Sequence, residues 1–371
     1  MRIAITNHHR ALVGGTESYL NGVIPELERL GHQVTLFHEA EVSEGAPVIA
    51  ATCHTRDWSE LASFRNTVVF NHGLQSPTRE NELSDIAPVV HFAHNYHGTC
   101  ISGEKTRKFP HPAACPRRFG PACLAQYLPR HCGGWNPLVG IRDYQTQSGR
   151  LAAIRRARLV LTASNHMEAE YRNHGIENIQ RAPLFVSQKP QSTQLQDDSS
   201  FRILFASRMT AIKGATLLAQ AATLIRRELG TRPVQFTFAG DGPDLEATRR
   251  LCPDAHFTGW LPQERLQSLA ANHHVLAMPS IWPEPFGLTG LELGLPVAAF
   301  AVGGIPDWLT DSYNGALAPA DPATPEAFAQ AVVRCGQIQN GRTNMHNRAQ
   351  QFTLARHMAI LIPALESACE S

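Results

Sequence analysis

Short apolar runs alternate with amphipathic stretches through the first half of the chain. RIAIT (residues 2–6) predicts a buried strand, and residues 16–30 predict a helix whose apolar side chains recur at helical spacing. Gly31 follows that helix as a glycine C-cap. Further strands are predicted at residues 31–39, 67–73, 87–94 and 157–164. Strands that alternate with helices indicate an α/β domain built on a doubly wound, mainly parallel sheet.

The same pattern starts again after a polar stretch without periodicity, residues 187–200, which predicts a linker. Strands are then predicted at residues 201–208, 234–240, 255–260, 275–280 and 296–304, and helices at residues 214–229, 243–251 and 262–274. We therefore expect a first domain over residues 1–186 and a second over 201–345. Residues 346–371 predict a helical segment that caps the second domain or crosses back to the first.

Length and composition agree with this division. With 371 residues, 43% of them hydrophobic, the chain is long enough for two cores. It contains no run of 18 apolar residues, and residues 1–15 lack the apolar centre of a secretion signal. We therefore expect a cytoplasmic protein, with association at the cytosolic face of a membrane left open.

Positive charge is concentrated in one part of the first domain. Residues 105–158 contain eleven Lys or Arg and a single acid, Asp143, although the formal net charge of the whole chain is +1. This block fits either a solvated loop face or attraction to an anionic membrane or an anionic acceptor. Nucleic acid is not favoured, because the aromatic residues nearby lack the pattern of a stacking platform.

Four of the eight cysteines lie in an insert at about residues 97–140: Cys100, Cys115, Cys123 and Cys132. Four soft ligands on a Pro/Gly-rich loop fit a structural zinc site, which would stabilise a segment with little core of its own. No C-x-x-C pair supports that hypothesis. Reduced, packed thiols and disulfide or redox chemistry are the alternatives.

The second domain places polar residues directly after its predicted strands. Arg208 and Lys213 follow the apolar run at 203–207, and Gly240 opens a Gly-Asp-Gly-Pro turn after the next strand. Because an Arg fork and a Lys point charge both suit phosphate oxygens, we expect these cations to bind a pyrophosphate.

The stretch PSIWPEPFGLTGLELGLPV (279–297) carries two carboxylates, Glu284 and Glu292. Pro283 and Pro285 exclude a regular helix around Glu284, whereas a helix can begin after Gly287. The amides of Phe286, Gly287 and Leu288 would then bind a phosphate.

A nucleotide diphosphate sugar, with hydroxyls at both ends and phosphates between, fits this layout of carboxylates and amides. The chain contains no D-x-D pair that could hold a bridging metal.

Six motifs occur in the order of a known family: GGTESYL, SRMTAIKG, FAGDGP, FTGW, EPFGLTGLE and AVGGIPDWL. Through them the chain resembles, over nearly its whole length, the family-4 retaining glycosyltransferases of the GT-B fold. The resemblance implies two Rossmann-like domains that face a cleft. It also implies metal-independent transfer of a sugar with retention of configuration.

The resemblance also implies roles for single residues. Gly15 would approach the donor phosphates, and Arg208 and Lys213 would hold the pyrophosphate. Glu284 would contact the transferred sugar and Glu292 the ribose. His94 resembles the histidine near the reacting carbon, with His72 and His97 as rivals. The donor would be a UDP-, GDP- or ADP-sugar, and the acceptor a glycan, a lipid-linked molecule or a small molecule.

One departure from the family pattern follows Glu292, where roughly three residues, about one helical turn, are missing before Gly294-Leu295-Pro296-Val297. A catalytically impaired nucleotide-sugar-binding protein and a nucleotide-sugar epimerase of the same architecture therefore remain as alternatives.

Overall fold

The computed structural model describes residues 1–43, 45–50, 54–56, 58–63, 68–187 and 199–370. Most of the predicted linker, residues 188–198, lies outside the described residues. The chain forms two compact units. The first comprises Met1–Lys105, Pro116–Leu184 and Leu354–Ser371, and the second comprises Thr106–Cys115 and Phe185–Thr353.

The elements of residues 1–187 are β1 Arg2–Asn7, α1 Gly15–Arg29, β2 Gln33–His38, β3 His54–Arg56, a 3-10 segment Trp58–Ser63, β4 Val68–Asn71, α2 Pro77–Ile86, β5 Val89–Ala93, β6 Thr106–Arg107, β7 Ala113–Ala114, α3 Ala122–Tyr127, α4 Pro137–Arg156, β8 Leu159–Thr162, α5 Asn165–Asn173 and β9 Ile179–Arg181.

The elements of residues 199–370 are β10 Phe201–Ala206, α6 Ala215–Leu229, β11 Val234–Ala239, α7 Leu245–Leu251, β12 His256–Gly259, α8 Gln263–Ala271, β13 Val275–Met278, α9 Thr289–Leu293, β14 Val297–Phe300, a 3-10 segment Ile305–Asp307, β15 Gly315–Ala318, α10 Pro325–Gly336, α11 Gly341–Ala349 and α12 Leu354–Cys369.

The sheet of the first unit is parallel and has the order β3-β2-β1-β4-β5-β8-β9. Every residue of β4 and β5 is buried, as expected for strands covered by helices on both faces. The chain changes its direction of winding between β1 and β4. The carboxyl ends of these strands therefore form the switch point at which such sheets bind ligands.

The sheet of the second unit is also parallel, with the order β12-β11-β10-β13-β14-β15. Its switch point lies between β10 and β13. The prediction of two doubly wound α/β domains is confirmed.

The helix α12 follows the second unit in sequence but packs in the first, against α1, β4 and β5. His357 on α12 accepts a hydrogen bond from the Tyr19 hydroxyl of α1, with 2.7 Å between Oη and Nε2. Leu361 and Leu365 are fully buried on the same helix. The first unit therefore completes its core with a segment 338 residues away from Tyr19.

The basic, Cys-rich insert has more regular structure than expected for a Pro/Gly-rich loop. It contains the antiparallel pair β6 and β7, the helix α3 and the start of α4. The Asn136 side chain caps α4 by accepting a hydrogen bond from the Leu138 amide. Across the described ranges, no helix combines the length and the apolar composition that crossing a membrane requires.

Candidate functional site

Two of the predicted site residues meet at the switch point of the second unit. Lys213 lies in the segment after β10, and Glu284 lies in the segment after the neighbouring strand β13. The Lys213 ammonium lies 2.5 Å from Oε1 of Glu284 and 4.3 Å from the ring centre of Trp282. The structure therefore brings together a cation and a carboxylate where a parallel sheet binds its ligand.

Backbone contacts join the two segments that carry this pair. The amides of Ile281 and Trp282 both donate to the Ile212 carbonyl, at 3.0 and 3.1 Å. The Ser280 hydroxyl donates to the same carbonyl at 3.2 Å. Lys213 follows directly after this shared acceptor, so its position depends on the segment after β13.

Glu284 is fixed by a second close backbone contact. Its carbonyl accepts a hydrogen bond from the Gly304 amide at 2.7 Å. Gly303 has φ +57°, and a Cβ at that position would lie 2.2 Å from the Glu284 carbonyl oxygen. Only glycine allows this approach. The carboxylate belongs to a residue that is only 8% exposed, so the pair with Lys213 is largely shielded from water.

The segment after Glu284 offers hydrogen-bond donors. Gly287 has φ +83°, and Phe286 is anchored because its carbonyl accepts from Nε1 of Trp308 at 2.7 Å. Within the described part of the chain, the amides of Phe286, Gly287 and Leu288 donate to no acceptor. The predicted helix begins at Thr289 and has five residues. These amides remain the predicted phosphate donors.

Glu292 lies on this short helix, and its carboxylate hydrogen-bonds to Gln263 of α8. Burial raises the pKa of Glu292 above its usual value, which the bond to Gln263 partly offsets. Its predicted contact with a ribose stays a prediction.

Arg208 and Gly240 lie at the carboxyl ends of the adjacent strands β10 and β11. A Cβ on Gly240 would lie 2.0 Å from the Ser207 carbonyl oxygen, so the turn after β11 packs directly on the segment that carries Arg208. Arg208 is exposed, and its guanidinium has no hydrogen-bond or ion-pair partner among the described residues. It is therefore available to an anion.

Gly15 is the first residue of α1, which begins after β1 at the switch point of the first unit. It is exposed, and a Cβ there would meet no atom within 4 Å. The first amides of a helix have no partner within the helix. Gly15 therefore contributes to an open helix N-terminus at the position where it was predicted to approach phosphates.

His94 and its rival His72 are neighbours at the same edge of the first sheet, after β5 and β4. Nδ1 of His72 lies 2.8 Å from Nε2 of His94, so one ring donates its proton to the other. Burial and the nearby His91 and His357 lower the pKa of His94 to about 3. Burial, Arg150 and His91 lower the pKa of His97 to about 3. All these imidazoles are therefore neutral near pH 7.

The sequence analysis missed Tyr19 and His357. The Pro183 carbonyl lies 2.8 Å from Nδ1 of His357 and can only accept, so this nitrogen carries the proton. Nε2 therefore accepts from the Tyr19 hydroxyl. The Tyr19 ring in turn packs edge-on against His94, with centroids 5.2 Å apart. No local pattern links residues so far apart in sequence.

The structure does not support the predicted zinc site at the four cysteines. No group of three or more His, Cys, Asp or Glu suitable for a metal occurs in the described ranges. The thiol of Cys100 contacts Ser102 and the Lys105 amide, whereas those of Cys123 and Cys132 face the carbonyls of Arg118 and Gln126. The described cysteines form no disulfide either. The thiols of Cys100, Cys123 and Cys132 are packed against local polar groups instead of converging on one point.

A comparison with protein families finds a match within the second unit. Residues 200–337 match the family model "Glycosyl transferases group 1". Over these residues the chain is similar to the group 1 glycosyltransferases. Lys213, Glu284 and the segment between β13 and β14 all lie in the matched region. The family-4 subtype expected from the motifs stays a prediction.

One curated relative of the group 1 region is the D-inositol 3-phosphate glycosyltransferase of Pseudarthrobacter chlorophenolicus. It is 33% identical over 197 residues, which cover 46% of this chain and 47% of the relative. The chain spans less than half the length of the curated relatives it matches, with shares of 40%, 47% and 34% for three D-inositol 3-phosphate glycosyltransferases.

Solved glycosyltransferase structures match the whole chain. The apo lipopolysaccharide outer core galactosyltransferase WaaB has a TM-score of 0.70 and 15% identity, with 99% of each chain covered. Anabaena Alr3699/HepE, in complex with UDP and glucose, has a TM-score of 0.69 and 16% identity, with 99% of this chain and 100% of that chain covered. At such identities the likeness concerns the fold, and it confirms the expected GT-B class.

Proposed function

We propose that this protein transfers a sugar from a nucleotide diphosphate sugar to a hydroxyl group of an acceptor, with retention of anomeric configuration and without a divalent metal. The Lys213–Glu284 pair at the switch point of a group 1 glycosyltransferase region carries the proposal. The acceptor would be a glycan, a glycolipid or a small molecule.

The charges of the site suit a pyrophosphate. The exposed Arg208 guanidinium and the amides of Phe286, Gly287 and Leu288 are without acceptors in the described structure. One N–H of the Lys213 ammonium donates to Glu284, which leaves two further donors on the same nitrogen. Together these groups would donate hydrogen bonds to the oxygens of a donor diphosphate and stabilise the leaving group.

The proposed reaction exchanges two bonds at the anomeric carbon of the sugar. The bond to the diphosphate oxygen breaks with its electron pair, and the acceptor oxygen bonds to the same face. The acceptor proton passes to the leaving diphosphate, so no protein nucleophile is needed. Glu284 would accept hydrogen bonds from the hydroxyls of the transferred sugar, and Glu292 from the ribose.

On the first unit we assign to the neutral His94 a hydrogen bond to a substrate hydroxyl. Its low pKa of about 3 makes it a poor proton source near pH 7, and because Nε2 is hydrogen-bonded to His72, Nδ1 is the nitrogen that would bond to the substrate. Gly15, at the helix N-terminus of this unit, would bind phosphate oxygens.

The test is nucleotide release from a panel of UDP-, GDP- and ADP-sugars, with and without acceptors that include inositol phosphate and oligosaccharides. UDP-glucose is the first donor to try, because UDP and glucose occupy the Anabaena structure. We expect acceptor-dependent release that persists in EDTA, and a product with the anomeric configuration of the donor by NMR.

The other outcomes identify the alternatives. Tight nucleotide binding without release for every donor and acceptor would indicate a binding protein, in line with the short helix α9. An altered donor sugar that stays bound to its nucleotide would indicate an epimerase. Inversion of the anomeric carbon would overturn the same-face mechanism alone.

A further inference from the structure

One surface of the first unit exposes an unusual set of large apolar side chains. Trp135 is 76% exposed, Leu138 71%, Ile141 47% and Leu124 37%. Leu138 and Ile141 lie three residues apart on α4, so they share one face of that helix. Leu124 lies on α3, which packs against α4. We call these four residues the apolar patch.

The patch is built on a rigid support. Tyr127 of α3 is buried, and its hydroxyl donates to the Asp143 carboxylate of α4 at 3.2 Å. The same hydroxyl accepts from the Gly134 amide at 3.0 Å, beside Trp135. A Cβ on Gly140 would lie 2.7 Å from the Tyr127 ring. The loop and both helices are therefore fixed around one side chain, and the exposure of the patch is part of the folded structure.

Positive charge surrounds the patch. Residues 116–142, the part of the basic segment that belongs to the first unit with the patch, contain four arginines and no Asp or Glu. The Arg142 side chain is 73% exposed and follows Ile141, whereas Arg130 is anchored to Gln126 on α3. The Arg118 carbonyl contacts the Cys123 thiol at the start of α3, which places a further arginine beside this helix. The first acid after the block, Asp143, accepts a hydrogen bond from Tyr127 and lies 3.6 Å from the Arg142 guanidinium.

We propose that the apolar patch and its flanking arginines dock the first unit onto a lipid bilayer that contains anionic headgroups. A tryptophan and aliphatic side chains can enter the headgroup and acyl boundary, while arginines bind the phosphates around them. A purely apolar protein interface would not require a flanking segment without acids. The charge pattern therefore selects an anionic surface as the occupant.

The binding is independent of the proposed transfer reaction, so its test needs no sugar donor. The full chain is sedimented with vesicles of phosphatidylcholine, and with vesicles in which 30% is replaced by phosphatidylglycerol. We expect at least ten-fold tighter binding to the anionic vesicles, and weakening as salt is raised.

Variants of the patch have matched controls elsewhere on the chain. Trp135→Ser should weaken binding to anionic vesicles about ten-fold, whereas Trp260→Ser, at 75% exposure, should leave it unchanged. Arg142→Gln should weaken it about five-fold. Arg227→Gln, whose side chain is 72% exposed, should not. Circular dichroism checks that each variant is folded.

Three results would overturn the proposal. The first is a wild-type chain that sediments with neither kind of vesicle. The second is patch variants that bind as tightly as their controls. In the third, the chain forms dimers in sedimentation velocity without lipid and Trp135→Ser makes it monomeric. That result would assign the patch to contact between copies of the chain.

Discussion

Nζ of Lys213 lies 2.5 Å from Oε1 of Glu284, and the two side chains are only 13% and 10% exposed. In such a shielded pair each charge satisfies the other. Loss of either partner leaves a buried charge without compensation. The two residues are proposed to act on different parts of the donor, so their variants should differ in kind.

Glu284→Ala should lower kcat at least 100-fold while the dissociation constant for the nucleoside diphosphate changes less than five-fold. The carboxylate that contacts the sugar is removed, but Lys213 stays available to the phosphates. Transfer rates and nucleotide titrations measure both quantities. Glu246→Ala, whose side chain is 70% exposed on α7, is the control and should leave both unchanged. Undiminished turnover in Glu284→Ala would exclude the sugar-contacting role.

Lys213→Met should have the opposite profile, with nucleotide binding weakened at least ten-fold. The variant removes a phosphate-binding cation and leaves the Glu284 carboxylate to repel the diphosphate. Isothermal titration with the nucleoside diphosphate measures the loss. Unchanged affinity would mean that the diphosphate does not contact Lys213.

Gly303→Ala should inactivate the enzyme through Glu284. Gly303 has φ +57°, and its new Cβ would lie 2.2 Å from the Glu284 carbonyl oxygen and 2.4 Å from the Glu284 nitrogen, so the carboxylate must move. Gly230→Ala is the matched control, with φ +63° and no atom within 4 Å of its Cβ. We expect the control to lose roughly 1 kcal/mol of stability but no activity per folded molecule. Equal activity in the two variants would contradict the prediction.

His72→Phe should lower kcat more than it raises KM, because it removes the hydrogen bond that orients His94. His72→Asn places a polar group near the position of Nδ1 and should recover part of the rate. If His72→Phe and His72→Asn lower kcat equally at equal thermal stability, then the His72 side chain contributes packing and no orienting hydrogen bond.

Stability of the first unit should fall as the pH drops from 6.5 to 4.5. Burial, with nearby positive groups for the first three, lowers the pKa of His91, His94, His97 and His357 to between about 3 and about 4. In the unfolded chain these imidazoles titrate near 6.5, so the unfolded state binds more protons in this window. Well above pH 6.5 these imidazoles are neutral in both the folded and the unfolded chain, so they contribute no pH dependence to the stability.

Glu80 acts in the opposite direction, since burial raises its pKa to about 7 and the folded state binds its proton between about 4.5 and 7. Because these four histidines and His72, whose pKa burial also lowers, oppose one glutamate, we expect a net loss of stability on the order of 1 kcal/mol or more per pH unit. Hydrogen exchange of the β4 and β5 amides measures this loss of stability at each pH. Glu80→Gln should make the dependence steeper, and a shallower one would show that Glu80 is ionised throughout.

The strands and the carboxyl-end positions of Arg208, Lys213 and Glu284 were predictable because they depend on local patterns. The alternation of strands and helices predicts parallel strands whose following segments lie at one edge of the sheet, and Pro283 and Pro285 keep Glu284 out of a helix. The contact between Lys213 and Glu284 could not be read from the residues alone, since it depends on which strands become neighbours. The zinc hypothesis is not supported, because the four cysteines are close in sequence but do not converge in the fold.

Tyr19 is hydrogen-bonded to His357, 338 residues further along the chain, and this separation has a consequence for folding during biosynthesis. The second unit can form while the ribosome is still adding residues, but the first lacks part of its core until α12 has emerged. During that interval the faces of α1, β4 and β5 that α12 covers are open to solvent and to other chains. Although its first strand is made first, the first unit is therefore the last to finish folding.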